Sequence, residues 1–354
     1  MTDLSFYRGK RIFVTGHTGF KGAWLCEILL LAGAEVVGYA LEPPTDPSLY
    51  ELAGLERNMR SIIGDVRDFV AMKKVFDETQ PEIVFHLAAQ PIVRTGYERP
   101  RETFETNIMG TVNLMECVRT AHAPVRSVVN ITTDKVYLNR ERQAGYREDD
   151  PLDGYDPYSN SKSCSELATH AYHSSFFQRT DTAVSTARAG NVIGGGDFAR
   201  DRIIPDCIRA ALEHRPIIVH NPNSIRPYQH VLEPLFAYLM IARRQYEDRT
   251  FSGWYNVGPD EEDSVTTGTL AEMFCRTWGD GIRWIDRSEA YAPHEATYLR
   301  LDCAKLKETF GWVPRWHIDK AVLCTVEWAK AWRDGRDIEA EMEKQILEYA
   351  DGMQ

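Results

Sequence analysis

The stretch Gly16-His17-Thr18-Gly19-Phe20-Lys21-Gly22 decides the fold. It follows directly on Arg11–Thr15, a short run with strand character, and leads into Phe20–Ala32, which is rich in helix formers. A strand, a tight glycine turn and a helix in that order make an anion site. The glycines permit a sharp turn and close backbone approach, while the helix start offers free N–H groups and the positive end of its dipole. The spacing is G-x-x-G-x-x-G rather than G-x-G-x-x-G. A plain glycine-rich turn would look the same, so the surroundings must decide.

Outward from the loop, Glu35–Leu41, Ser61–Asp65, Ile83–Leu87, Ser127–Thr133 and Thr182–Ala189 read as further strands. Between them, Glu102–His122 places Phe104, Ile108, Val112 and Met115 at helical spacing, and Tyr158–Phe177 places Leu167, Ala168, Ala171 and Tyr172 on one face. This rhythm predicts an α/β protein with a Rossmann-type doubly wound parallel sheet. Residues 1–190 form the expected dinucleotide-binding domain. Residues 191–354, with mixed signals and scattered prolines, form a smaller mixed α/β substrate domain partly interwoven with it. The charged stretch Arg333–Glu348 reads as a solvated helix.

Composition narrows the partners. The 354 residues are 43% hydrophobic with a net charge of -11, a balance that disfavours nucleic acid and anionic membrane surfaces. Seven cysteines without a C-x-x-C pair suit buried thiols in a reducing cytoplasm. Met1–Lys10 has no apolar signal core and no long apolar run follows, so neither export nor a membrane span is expected. His170 and His173 have a metal-ligand spacing but no accompanying cluster; they read as helix-surface residues, and no metal is expected.

The chemistry concentrates in two places. Tyr158-Ser159-Asn160-Ser161-Lys162 is the one Y-x-x-x-K in the chain. With sixteen tyrosines and eleven lysines about half a chance match is expected, so the spacing alone is weak. Its placement, opening the helix after the fifth strand, is better evidence: residues four apart share a helix face, and an ammonium near a phenol, with a nicotinamide charge added, lowers the phenol pKa from about 10. Such a phenolate takes a hydroxyl proton as hydride leaves the same carbon. Thr133, Asp134 and Lys135 end the fifth strand at the sheet's carboxyl edge, where ligands bind, and add an acid and a base beyond what alcohol oxidation needs. Asp65, after the third strand, can accept from an adenine amino group or simply cap a turn. No acidic residue stands at the end of the second strand itself, Glu42 lying two residues beyond, and His17 and Lys21 are extra donors; NAD is expected with NADP left open.

Gly16–Gly22, Leu87-Ala88-Ala89-Gln90-Pro91, Thr133-Asp134-Lys135-Val136-Tyr137, Tyr158–Lys162, Arg188–Asp197 and Arg226–Val231 together resemble the extended short-chain dehydrogenases that act on sugar nucleotides, from about Gly9 to Trp316. The resemblance is to the 4,6-dehydratases. Related dTDP- and GDP-sugar enzymes usually carry Thr-Asp-Glu where this chain has Thr-Asp-Lys, a departure that agrees with the CDP-glucose branch.

This resemblance implies C4 oxidation by NAD, loss of water across C5 and C6, and return of the hydride to C6. By position it makes Tyr158 the base at O4 with Thr133 and Lys162, Asp134 the acid at O6, and Lys135 the C5 base if it is neutral or, if it stays protonated, a group that orients water or stabilises the enolate. Val66, Leu87, Ala88 and Ala89 join Gly16, His17, Thr18, Gly19, Phe20, Lys21, Gly22 and Asp65 around the cofactor. Arg94, Arg188, Asn191 and Arg226 are the expected substrate donors, with a surface ion pair an equal alternative for Arg94, and Tyr298 either stacks on a base or simply packs. The family also implies a homodimer paired through the helices at Glu102–His122 and Tyr158–Phe177, and a place in deoxysugar assembly for a bacterial surface polysaccharide. A 4-epimerase or reductase would need Tyr158 and Lys162 but not Asp134 and Lys135. A nicotinamide sensor would need neither pair.

Overall fold

The computed structural model describes residues 4–142, 144–288 and 299–351. Seven strands form one sheet: β1 (Arg11–Thr15), β2 (Glu35–Ala40), β3 (Arg60–Ile63), β4 (Ile83–His86), β5 (Ser127–Thr132), β6 (Ala183–Arg188) and β7 (Trp254–Asn256). Every pairing is parallel and the order is β7-β6-β5-β4-β1-β2-β3, so the chain reverses direction across the sheet between β1 and β4. That is the doubly wound arrangement, and its switch point is where ligands bind.

Alternation along the strands feeds two cores. Ile12, Val14, Phe85, Val129 and Ile131 point to one face, where they meet α1 (Phe20–Leu31) through Trp24 and Ile28. Phe13, Val84, Val128 and Val184 point to the other, against Met72 and Phe76 of α2 (Phe69–Thr79) and Leu114 and Met115 of α3 (Gly110–Arg119). Every residue of β5 and β6 is buried, as parallel strands covered on both faces require.

Several expected elements change in extent. The single helix read over Glu102–His122 is three joined pieces: Pro100–Phe104, a wide π-turn at Glu105–Met109, and α3. The turn aims Asn107, whose amide accepts from Gln90 N–H at 2.8 Å and donates to Ser161 Oγ at 2.8 Å, tying the end of β4 to the helix that carries Tyr158. That helix, α4 (Pro157–Tyr172), begins with proline at its first position and Asp156 as its cap, accepting from Ser159 N–H at 3.0 Å. Beyond residue 190, α5 (Leu232–Glu247) packs on β5 and β6, and β7 extends the sheet.

The C-terminal stretch is not a merely solvated helix. Following α6 (Ile318–Arg333), α7 (Ile338–Asp351) buries Ile338, Met342, Ile346 and Tyr349 in the larger core; these apolar positions recur at helical spacing among the charges that dominate the composition. His170 and His173 also leave the open surface, since His170 stacks on Trp254 at 3.7 Å and His173 meets the same ring edge-on at 5.6 Å. Among the described residues no helix is long and apolar enough to cross a membrane, and no group of three or more His, Cys, Asp or Glu is placed to hold a metal ion.

Candidate active site

The glycine loop is shaped by two different demands. Gly16 lies at φ +79°, and a Cβ there would sit 2.7 Å from Ala88 N; one at Gly22 would sit 2.0 Å from Gly16 O. These two glycines are required by the protein's own packing, with Leu87 and Ala88 closing against Gly16 and Ala89 following next in the chain. Gly19 is different: among the described residues a Cβ there would meet only Gly16 O at 3.5 Å, an ordinary contact. It is also the N-cap of α1, with no side chain capping the helix. An open cradle at an uncapped helix start fits a dinucleotide pyrophosphate, held by the loop's backbone N–H groups.

His17 is not a donor to that ligand. Its ring is wholly buried against Gly38, its Nε2 bonds Ser61 Oγ at 2.7 Å, and burial pulls its pKa down to about 4. Thr18 caps the turn by donating to Leu41 O at 2.9 Å. Lys21 turns inward, its ammonium 3.4 Å from Tyr238 Oη. Burial first, then the charges of Lys162 and Arg202, lower it to about 7, which places it in the field of the catalytic corner. Asp65 sits at the far edge of the cleft with its carboxylate gripped by Arg67 at 2.5 Å, while the neighbouring Val66 is buried against Gly110.

The candidate catalytic corner lies where β5 ends and α4 begins. Tyr158 and Lys162 share one face of α4, and Lys162 donates to Ile131 O at 3.0 Å. The expected lowering of the phenol is not what the protein alone produces. Burial pushes Tyr158 up to about 12, with the neighbouring Thr133 hydroxyl opposing it, and brings Lys162 down to about 8. Low dielectric disfavours both charges at once, and the lysine does not offset that. Thr133 Oγ1 donates to Asp134 Oδ1 at 2.9 Å, and Asn191 Nδ2 donates to Asp134 Oδ2 at 2.9 Å. The carboxyl is 1% exposed and packs where a Cβ at Gly190 would fall, 2.1 Å from Asp134 Cγ. Lys135 is half-buried in the next turn, and among the described residues nothing accepts from its ammonium.

The expected substrate donors separate. Asn191, in a left-handed conformation at φ +51°, spends its amide on Asp134 rather than on a ligand. Arg188 is 0% exposed beneath the site, donating to Glu166 at 2.9 Å, Tyr137 at 2.8 Å and Glu148 O at 3.1 Å, so direct substrate contact is excluded. Arg94 remains at the surface, 72% of its side chain exposed, in ion pairs with Asp201 and Glu98. Arg226 is buried in the strand Ile225–Pro227 and donates to Ile225 O at 2.9 Å. Tyr298 lies outside the described residues.

Arg202 was not singled out from the sequence, although it falls in the distinctive stretch Asn191–Asp206. Asp197, 5% exposed, holds its guanidinium at 2.8 Å, and Arg202 lies close enough to lower the Tyr158 phenol.

A glycine cradle on a doubly wound sheet, with a tyrosine and lysine one helical turn apart beside it, defines the short-chain dehydrogenase type of site. Residues 13–324 match the family model described as GDP-mannose 4,6 dehydratase, and the chain belongs to that family. It is 49% identical to the CDP-glucose 4,6-dehydratase of Salmonella typhimurium, across 99% of this chain and 98% of that one. A probable dTDP-glucose 4,6-dehydratase of Sinorhizobium fredii is 29% identical over 90% of this chain and 92% of its own. Among solved structures, dTDP-glucose 4,6-dehydratase from Bacillus anthracis in complex with NAD superposes with a TM-score of 0.76 at 21% identity, covering 93% of this chain and 99% of that one. UDP-glucose-4-epimerase from Stenotrophomonas maltophila with bound NAD gives 0.80 at 21%, covering 92% and 99%.

Proposed function

We propose that this protein is a CDP-glucose 4,6-dehydratase, converting CDP-glucose to CDP-4-keto-6-deoxyglucose and water. The observation that carries the reading is the buried corner that gathers Tyr158, Thr133 and Asp134, with Thr133 bonded to the acid, within a chain matched almost end to end by a dehydratase of that specificity. An epimerase has no use for an acid so placed.

NAD, when bound on Gly16–Gly22, supplies a hydride acceptor at C4 that later gives the hydride back to C6. The burial of His17 in its neutral form favours NAD over NADP, since it removes one of the two extra donors offered to a 2′-phosphate. Tyr158 takes the O4 proton while Thr133 orients the hydroxyl. The resulting 4-keto group acidifies the C5–H bond, which Lys135 is placed to break. Asp134 protonates the departing O6. Arg226 and Arg202 supply positive charge for the diphosphate, a planar fork being suited to bidentate phosphate binding. Residues 1–190 serve the dinucleotide and 191–354 the sugar nucleotide, apart from α5 and β7, which return to the first unit.

The protein pairs as a homodimer through the helices at Glu102–His122 and Tyr158–Phe177, where Met109 and Leu167 stand about half exposed; a monomer mass in solution would reject this. A cytoplasmic place in deoxysugar assembly for surface polysaccharide follows from the same reading, and export of the folded enzyme would contradict it.

The direct test incubates the protein with CDP-, dTDP-, GDP- and UDP-glucose and reads product masses. Loss of one water from CDP-glucose first, without accumulation of reduced cofactor, is expected. No loss from CDP-glucose, or faster loss from dTDP-glucose, overturns the assignment.

A further inference from the structure

The dehydration, as read above, returns its hydride but leaves two side chains altered. The C4 hydride ends on C6, and the base at C5 gives a proton back to C5. The O4 proton does not return, because the product keeps its 4-keto group; it remains on Tyr158. The C6 hydroxyl leaves as water with a proton from Asp134. After one turnover Tyr158 has therefore gained a proton and Asp134 has lost one, and the next turnover needs the reverse.

Solvent is poorly placed to perform this exchange. Tyr158 is 9% exposed, Thr133 4% and Asp134 1%. The geometry offers an internal route. Thr133 Oγ1 donates to Asp134 Oδ1 at 2.9 Å and stands beside the Tyr158 hydroxyl, close enough to act on its proton. Asn191 occupies the other carboxylate oxygen, Oδ2, at 2.9 Å, and the backbone of Gly190 packs against the carboxyl, so Oδ1 is held facing Thr133. A hydroxyl can take a proton and give up its own through one oxygen with no net change of charge.

We propose that Thr133 is a proton shuttle that resets the enzyme after each turnover, passing the O4 proton from Tyr158 to Asp134. The Tyr158 O–H bond breaks as a new O–H bond forms on Thr133, and the original Thr133 O–H bond breaks as one forms on Asp134 Oδ1. No electrons change hands and no solvent proton is consumed. The two acids behave as a pair sharing one proton, since a negative Asp134 raises the affinity of Tyr158 for it. The proton that leaves O4 thus departs one turnover later in the product water.

The inference rests on the dehydratase reading, and rapid-quench kinetics with CDP-glucose separate the two. Thr133→Val removes the shuttle and keeps Tyr158 and Asp134; Thr133→Ser keeps a hydroxyl. The valine variant is expected to complete one product per site and then slow at least tenfold, a burst-to-steady ratio at least tenfold above the wild type, with the steady rate recovering as imidazole is added. The serine variant is expected to match the wild-type ratio. A ratio unchanged by valine, with both phases slowed alike, overturns the shuttle and confines Thr133 to O4. A valine burst that imidazole leaves unrelieved overturns it too. A wild type that releases no water from CDP-glucose overturns the dehydratase reading and the shuttle together.

Discussion

Tyr158, Lys162 and Glu166 stand four residues apart along one stripe of α4, yet the first two and the third are left in opposite electrical states. Burial moves Tyr158 up to about 12 and Lys162 down to about 8, both toward their neutral forms. Burial works against the Glu166 carboxylate as well, but the Arg188 charge and bonds from His170, Arg188 and Thr132 outweigh it and hold the carboxyl at about 2. The lesson concerns partners rather than depth. A buried group without a countercharge stays close to exchanging its proton, whereas one facing a guanidinium at 2.9 Å is a fixed pin.

The largest effect should come from the reactive end. Tyr158→Phe keeps the ring and its packing and removes only the proton acceptor, so product formation is expected to fall about 10²–10⁴-fold with the melting curve little changed. A variant that retains more than a tenth of the activity would contradict the base assignment.

At the pinned end the loss should appear in stability. Glu166→Ala leaves the Arg188 guanidinium buried and unpaired, at a cost of about 3–5 kcal/mol by urea unfolding. The double change Glu166→Leu with Arg188→Met should recover a large part of it, because an apolar pair of similar volume removes both charges. A loss under about 1 kcal/mol in the single variant would mean that the pair was solvated.

Buried histidines extend the comparison to acid. His17, His86 and His230 are held by burial at about 4, 3 and 3, so they stay neutral in the fold. The unfolded chain binds these protons near its ordinary value of about 6.5. Their contribution is therefore full above that pH and is lost as pH falls from about 6.5 toward 4, by up to about 1.4 kcal/mol per histidine per pH unit. Glu27 and Glu233, raised by burial to about 7 and about 6, act in the opposite sense: each favours the fold while protonated and loses that contribution as pH rises through its folded pKa. His173 joins the first set, and Glu148 and Asp206, raised by burial, join the second; the larger departures of the three buried histidines leave a net fall in denaturation midpoint between pH 6.5 and 4.5, and a rising midpoint would contradict it.

The smallest stability effect should be at Gly19. Gly19→Ala is expected to change unfolding by no more than about 0.5 kcal/mol while weakening NAD in calorimetry, whereas Gly22→Ala, whose Cβ would collide with Gly16 O, should cost about 1–3 kcal/mol. Equal NAD binding by wild type and Gly19→Ala would mean that the cradle serves another ligand.

Much of this was legible along the chain because it is local. The glycine loop, the first six strands to within two residues, and the helix opened by Pro157 all follow from short-range pattern. What escaped depends on distant partners. Arg188 looked like a ligand-binding arginine because Glu166 and Tyr137, which neutralise and enclose it, lie 22 and 51 residues away. Asn191 meets Asp134 across 57 residues, and only the backbone turn at φ +51° aims it there. The three-residue β7 shows no periodicity and is a strand only because β6 offers it an edge. His17 occupies a phosphate loop in sequence, but Gly38 on the neighbouring strand leaves a hole that its ring fills.

The central claim is that a single corner oxidises C4 and returns the same hydrogen to C6 while water departs between the two events. CDP-glucose carrying deuterium at C4 tests it in one reaction read by NMR. The account predicts product with deuterium at C6, none at C4, and no labelled cofactor released. Deuterium retained at C4, or lost to free NADH, would contradict it.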